Sequence, residues 1–205
     1  MATRSFKITG SIGGLGFQGE IIRTGEGEIS HQVELPKADK GTLTTRTNDT
    51  DGTLTMAAGH GISTGDKIDI FWYASGVLKS AHKATVGTVD GTSVPFTAAS
   101  GDALPAQDSS VTADVLVEVT SEFDGDDWLL LVSSSNRDGY IDFQPDPPGT
   151  IYAGKLYADS LLFWAADQGY DRPTSAKVVN YIYLTNASGD YAATAKVGVL
   201  YDSVA

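Results

Sequence analysis

The feature that most restricts this chain is a two-residue alternation of apolar and polar side chains, recurring in short runs separated by glycine-bearing turns. A strand points successive side chains to opposite faces, so this period buries one face of a sheet, whereas on a helix it would scatter the apolar groups. In 28–35, Ile29, Val33 and Leu35 fall on one face and Glu28, Ser30, Gln32 and Glu34 on the other. In 111–119, Val111, Ala113, Val115, Val117 and Val119 alternate with Thr112, Asp114, Leu116 and Glu118. In 191–201, Ala193, Ala195, Val197, Val199 and Tyr201 line one side. Segment 67–73 (KIDIFWY) sets Ile68, Ile70 and Trp72 against Phe71 and Tyr73, and segment 177–185 sets Val178, Ile182 and Leu184 against Val179, Tyr181 and Tyr183. Both are expected to be covered on two faces.

Turn chemistry separates the runs. Asp51-Gly52, Asp90-Gly91, Asp124-Gly125, Asp138-Gly139 and Ser188-Gly189-Asp190 are residue types that supply positive φ in tight reversals. Their spacing suits a sandwich or barrel and argues against βαβ units. Segment 156–167 (LYADSLLFWAAD) fits a helix or a doubly buried strand, with strand preferred. Residues 145–150 (PDPPGT) read as an extended or turning connection, because proline cannot donate to a central ladder. Residues 41–106 are rich in Thr, Gly and Ser. The expected fold is all-β, with antiparallel, jelly-roll-like sandwich sheets from 1–41 and 111–205 carrying a small β-barrel over 42–110. One continuous domain over 1–205 is the alternative.

Composition narrows the partners. The chain has 26 acidic and 14 basic residues among 205, for a formal net charge of -12. Such a surface repels phosphate backbones and anionic lipid, so neither nucleic acid nor membrane is an expected partner; it suits solubility at high copy number or docking onto a basic partner, and a plain solvated acidic surface is the preferred reading. Cysteine is absent, which removes disulfides, thiolate catalysis and Cys-based metal sites. Met-Ala-Thr-Arg-Ser leads straight into the alternating run at Phe6 and Ile8, without an apolar signal segment, and no run of apolar residues is long enough to span a bilayer as a helix. A product made in the cytoplasm is expected.

Several motifs imitate chemistry. Gly14-Leu15-Gly16-Phe17-Gln18-Gly19 has the dinucleotide spacing, with Asp39 beyond it, but the mechanism needs a helix whose first amides hold the pyrophosphate. Glu20 to Gly25 reads instead as a strand ending in a turn. Gly61-Ile62-Ser63-Thr64-Gly65, preceded by His60, has the nucleophile-elbow spacing, but a strand at 67–73 stands where the helix should follow, and only His82 would be left as base. His31, His60 and His82 are too irregularly spaced for a zinc site. The acidic loops Asn48 to Gly52 and Asp124 to Asp127 lack the full calcium-loop spacing and read as solvated turns. Trp72, Trp128 and Trp164 could stack on sugar rings, yet each lies in an apolar run and is expected in the core. No catalytic, cofactor-binding or metal-binding residue is assigned.

One resemblance adds to this reading. The stretch GTLTTRTNDTDGTLTMAAGHGISTGDKIDIFW (41–72) combines a Thr-rich hairpin, Gly59-His60-Gly61, and Ser63-Thr64-Gly65-Asp66 opening a strand; it resembles structural proteins of tailed bacteriophages and prophages. GTVDGTSVPF (87–96), GDALPA (101–106) and KVGVLYD (196–202) extend the likeness. The resemblance implies a virion component without catalytic residues or cofactor: a capsid decoration or cement protein first, a tail-tube or collar subunit second. A carbohydrate-binding adhesin module is the alternative of another class. Implied partners are other copies of the chain and the major capsid or other virion proteins, with assembly in the host bacterial cytoplasm. Loop tips Thr24 to Glu28, Asn48 to Gly52, Asp124 to Asp127 and Asn186 to Asp190 are the expected contact points.

Overall fold

The computed structural model describes residues 2–12, 15–25, 27–123, 128–133, 141–146, 154–156, 161–165 and 179–201, with side-chain surroundings for 32–118 and 183–196. Every described element is a β-strand, all pairings are antiparallel, and no helix occurs among the described residues. A first hairpin pairs β1 (Ala2–Ile12) with β2 (Leu15–Gly25). β3 (Gly27–Leu35) then leads into the middle of the chain. There β4 (Asp39–Arg46), β5 (Asp51–Met56), β6 (Lys67–Ala74), β7 (Val77–Val86), β8 (Ser93–Thr97) and β10 (Ser110–Val115) pair in the order β6-β10-β4-β5-β8-β7, and β7 returns to β6. The ring closes into a six-stranded barrel, with the short β9 (Ser100–Gly101) added against β7.

Two four-stranded sheets follow. One has the order β11 (Val117–Phe123), β16 (Val179–Asn186), β13 (Ile141–Asp146), β14 (Gly154–Leu156). The other has the order β15 (Leu161–Ala165), β12 (Trp128–Ser133), β17 (Ala193–Tyr201), β3. β17 is therefore hydrogen-bonded on both sides.

The alternation fills the barrel. Leu43, Leu54, Ile68, Ile70, Val94 and Phe96 point inward with Trp72, all nearly fully buried. Each such side chain contributes about 1.5–3 kcal/mol on leaving water. Alanines at 81, 84 and 113 make room for them. The β6–β7 hairpin turns on Ser75 (φ 51) and Gly76 (φ 78), both positive, as a two-residue turn matched to strand twist requires. Asp90-Gly91 makes the expected reversal: Gly91 has φ 58, and the amides of Asp90 and Ser93 donate to each other's carbonyls at 3.1 and 2.9 Å.

Other expectations need correction. Asp51-Gly52 is not a turn but the start of β5. The reversal is made just before it, where the Asn48 side-chain oxygen accepts the amides of Thr50 (2.7 Å) and Asp51 (2.8 Å). Gly52 is small for packing: a Cβ there would lie 2.6 Å from the Thr45 carbonyl and 2.9 Å from Leu43 Cδ1. The run 111–119 is two strands rather than one. It breaks at Leu116, whose amide donates to the Lys67 carbonyl at 3.0 Å, leaving β10 in the barrel and β11 in the sheet of β16. Tyr73, expected to be covered, is exposed. Residues 161–165 form a strand, as preferred. Pro145 and Asp146, expected in a connection, are instead the last two residues of β13, opposite Ile182 and Tyr181 and beyond the β14 pairing, which stops at Phe143. Asp124-Gly125, Asp138-Gly139, residues 147–150 and residues 177–178 lie outside the described residues.

Candidate functional site

The outer wall of the barrel carries polar groups where β6, β7 and β10 meet. Asp69 on β6 and Asp114 on β10 are register partners, and both are buried. Two carboxylates directly opposite each other repel, so their surroundings must compensate. At Asp69 the β6–β7 register slips, and Lys83 takes a positive φ of 49. This bulge turns the Lys83 amide onto Asp69 Oδ1 at 2.8 Å, so a side chain takes the place of a ladder carbonyl. From the far side the last residues of β16 cover the pair: Thr185 Oγ1 donates to Asp69 Oδ2 and the Asn186 amide to Asp114 Oδ2, both at 2.7 Å. Burial pushes the Asp114 carboxyl up to about 7, opposed by the amides of Asn186 and Val115 and reinforced by Asp69 and Asp39. Burial also raises Asp39, against the pull of His60 and Lys37.

A third polar group borders this seam. Ser80 Oγ lies 3.0 Å from His82 Nε2, and His82 Nδ1 lies 3.7 Å from Asp69 Oδ1. The order is that of a hydrolytic relay, but the conditions for one are not met. Ser80 is only 4% exposed, and its own amide already donates to Asp102 Oδ2 at 3.1 Å. Asp69 is also held by Thr185 and Lys83, and its separation from His82 exceeds a hydrogen bond. The group works as a polar clamp between the barrel and β16. Lys83 adds to it by placing its ammonium 4.9 Å from the Tyr183 ring.

Beside the seam the wall opens into a cleft of about 770 Å³. Its floor is the outward face of β6, β10 and β4, including Phe71 and Thr112. One rim is the β6–β7 hairpin with Tyr73 and Leu78, and the other is the loop after β16 with Ser188 and Tyr191. Asn186 holds this loop. It is 0% exposed; its Nδ2 donates to the carbonyls of Pro36 (2.9 Å) and Tyr191 (2.7 Å), and its Oδ1 accepts the Ser188 amide at 2.9 Å. Thr112 Oγ1 donates to the Ala187 carbonyl at 2.9 Å, and Lys40 Nζ meets Asp190 Oδ1 at 2.5 Å across the cleft. Gly189 lies so close to Lys40 and Thr112 that an added Cβ would fall within 2.9 Å of both. Tyr73 (63%) and Tyr191 (41%) are, with Val77, the exposed large apolar residues among the described ones. Large exposed apolar groups at one concavity are the informative case.

The structure disposes of the sequence motifs differently. β2 continues through Gly16 and Gly19 to Gly25, so no helix end meets the glycine-rich segment. Ser63 sits in an exposed turn: its amide donates to Asp66 Oδ2 at 2.7 Å, and its carbonyl accepts the Asp66 amide at 3.1 Å. His60 points elsewhere, with Nδ1 accepting the Ile62 amide and Nε2 donating to the Gly91 carbonyl. His82, the base left over for Ser63, partners Ser80 instead. The loop at Asn48 to Gly52 spends its side-chain oxygens on protein donors, Asn48 Oδ1 and Asp51 Oδ2 within the loop, Asp49 Oδ1 on Arg46 and Asp51 Oδ1 on Thr97, and no metal-holding group of three or more His, Asp or Glu occurs among the described residues. Trp72 is core, as expected; the side chains of His31, Trp128 and Trp164 lie outside the described set. Asn186, expected at a polar tip, is buried, because its amide substitutes for missing backbone partners. Sequence reasoning missed Tyr73 and Tyr191. Their signal was an aromatic residue beside a turn, at Ser75-Gly76 and Gly189-Asp190.

The chain matches no family model and no curated protein. Among solved structures it aligns with VP17, a capsid protein of bacteriophage P23-77, over 99% of this chain and 99% of that one, at 10% identity and a TM-score of 0.18. A superposition that loose fixes neither a common fold nor a common role.

Proposed function

We propose that this chain is a non-enzymatic structural component of a bacteriophage particle, of the decoration or cement type, stabilising the shell through surface contacts. The stretch 41–72 carries the reading: its likeness to virion proteins falls on β4, β5 and β6, three of the six barrel strands. The closed barrel supports it as well, since closure removes exposed strand edges and leaves loops to make the contacts. The partners are the major capsid or other virion proteins and further copies of the chain, and the place of action is the particle, assembled in the host cytoplasm. A cement protein acts by mass action: bound only to the assembled shell, it favours that state by about 2.7 kcal/mol at one hundred times its dissociation constant.

The test uses capsids of the encoding phage stripped of this chain. Adding the purified protein should raise their disruption temperature and deplete the protein from the supernatant. Unchanged disruption together with no co-sedimentation would overturn the reading, and polymerisation into tubes or rings would move it to the tail or collar.

A further inference from the structure

We propose that the cleft between the β6–β7 hairpin and the loop after β16 is a binding site for a neutral, hydroxyl-rich saccharide. A sugar ring offers an apolar C–H face and an equatorial girdle of hydroxyls, and the cleft offers complements to both. Tyr73 and Tyr191 present amphipathic rings from opposite rims, and an aromatic ring needs only two torsions fixed on binding. Ser109, Ser110 and Ser188, residues whose hydroxyls can both donate and accept, are among those lining the cleft. Ser188 Oγ already accepts the Tyr191 amide at 3.1 Å, which leaves its proton for a ligand oxygen. Lys40 and Asp190 add a strong donor and a strong acceptor, both about two-thirds exposed, whose charges cancel locally.

Size and charge narrow the class. About 770 Å³ lies within the range of small-ligand sites and accommodates a short oligosaccharide. No uncancelled cation faces the cleft from the residues lining it, and the chain carries -12 overall, so an anionic sugar gains nothing here. The site is also preformed. Its floor is three hydrogen-bonded barrel strands, and its loop is pinned by Asn186, Thr112 and the Lys40–Asp190 pair, so little ordering cost falls on binding. This inference stands apart from the virion reading: a chain that binds capsids but no sugar sinks this one alone, and the converse sinks the other.

The experiment screens the full chain against immobilised maltotriose, cellotriose, chitotriose, mannotriose and lactose, with sialyllactose as the anionic comparison, followed by calorimetry on any binder. At least one neutral sugar should bind with a dissociation constant between micromolar and millimolar. Tyr73→Ala and Tyr191→Ala should each weaken it about tenfold or more, while Tyr73→Phe keeps most of the affinity. Both tyrosines are exposed, so unchanged thermal unfolding will show that the variants fold. Binding to none of the neutral sugars, binding to sialyllactose alone, or affinity untouched by both alanine variants would each overturn the proposal. So would self-association that both variants abolish, which would make the cleft a contact between copies.

Discussion

Asp114 is the residue whose chemistry is most altered by the fold. It faces Asp69 from β6 directly across the strand pair, Asp39 from β4 acts on it through space, and β16 contributes an amide rather than a charge. His82 and Lys83 on β7 lie on the far side of Asp69. With its carboxyl pushed from 3.8 up to about 7, the folded protein holds a proton that the unfolded chain releases between those values. The folded state therefore binds more protons in that window, and stability falls as pH rises through it. The expected outcome is a loss of a few kcal/mol in unfolding free energy between about pH 4 and pH 8. Asp114→Asn keeps an acceptor for the Asn186 amide and cannot ionise, so it should flatten most of this slope and leave the protein more stable than wild type at pH 8. Urea denaturation of both proteins across the range checks it. A wild-type curve that rises towards pH 8, or a variant with the same slope, refutes the assignment. Asp39, raised by burial, leaves a residual slope of the same sign.

Among the elements, β16 matters most to the candidate site, because its body belongs to one sheet while its last residues lie over another. Leu184, Thr185 and Asn186 are fully buried, and two of the three are polar. Asn186→Ala would orphan the carbonyls of Pro36 and Tyr191 and the amide of Ser188 at once, and buried polar groups left unpaired cost about 1–3 kcal/mol each. A loss of about 2–4 kcal/mol is expected, with an unchanged denaturant slope, together with faster hydrogen exchange in 187–191. Exchange that speeds up elsewhere but not in that loop would show that Asn186 does not hold the cleft. The same strand shows where the sequence stops being readable. Of the two apolar faces expected in 177–185, only Tyr183 and Leu184 fall among the described side chains, the first half-buried and the second buried. The identity of the cover was not local: Asp69, Asp114 and Pro36 reach Thr185 and Asn186 only after the barrel has closed. For the same reason 111–119 read as one strand, since nothing in its alternation marks Leu116 as the point where the chain leaves the barrel. Tyr73 followed the apolar pattern of KIDIFWY yet lies past the end of what the flanking strand covers, and so remained unrecognised as a surface residue.

At the scale of the whole molecule, the net charge of -12 separates the two proposed surfaces. Docking onto a basic shell protein would draw on the summed field of the acidic residues, which salt screens over a Debye length of about 8 Å at physiological ionic strength. Binding to stripped capsids should therefore weaken about tenfold or more between roughly 50 and 500 mM NaCl, mostly through slower association. The cleft behaves differently. Its one ion pair is internally cancelled and its other contacts are hydroxyls and aromatic faces, so the affinity of a neutral sugar should shift by less than about twofold over the same range. Running both titrations on the same preparation keeps folding and concentration common to them. Capsid binding indifferent to salt would mean that apolar burial at loop tips, rather than charge, drives the docking. Sugar binding that collapses with salt would mean that Lys40 and Asp190 do not pair in solution, and that the cleft reads charge after all.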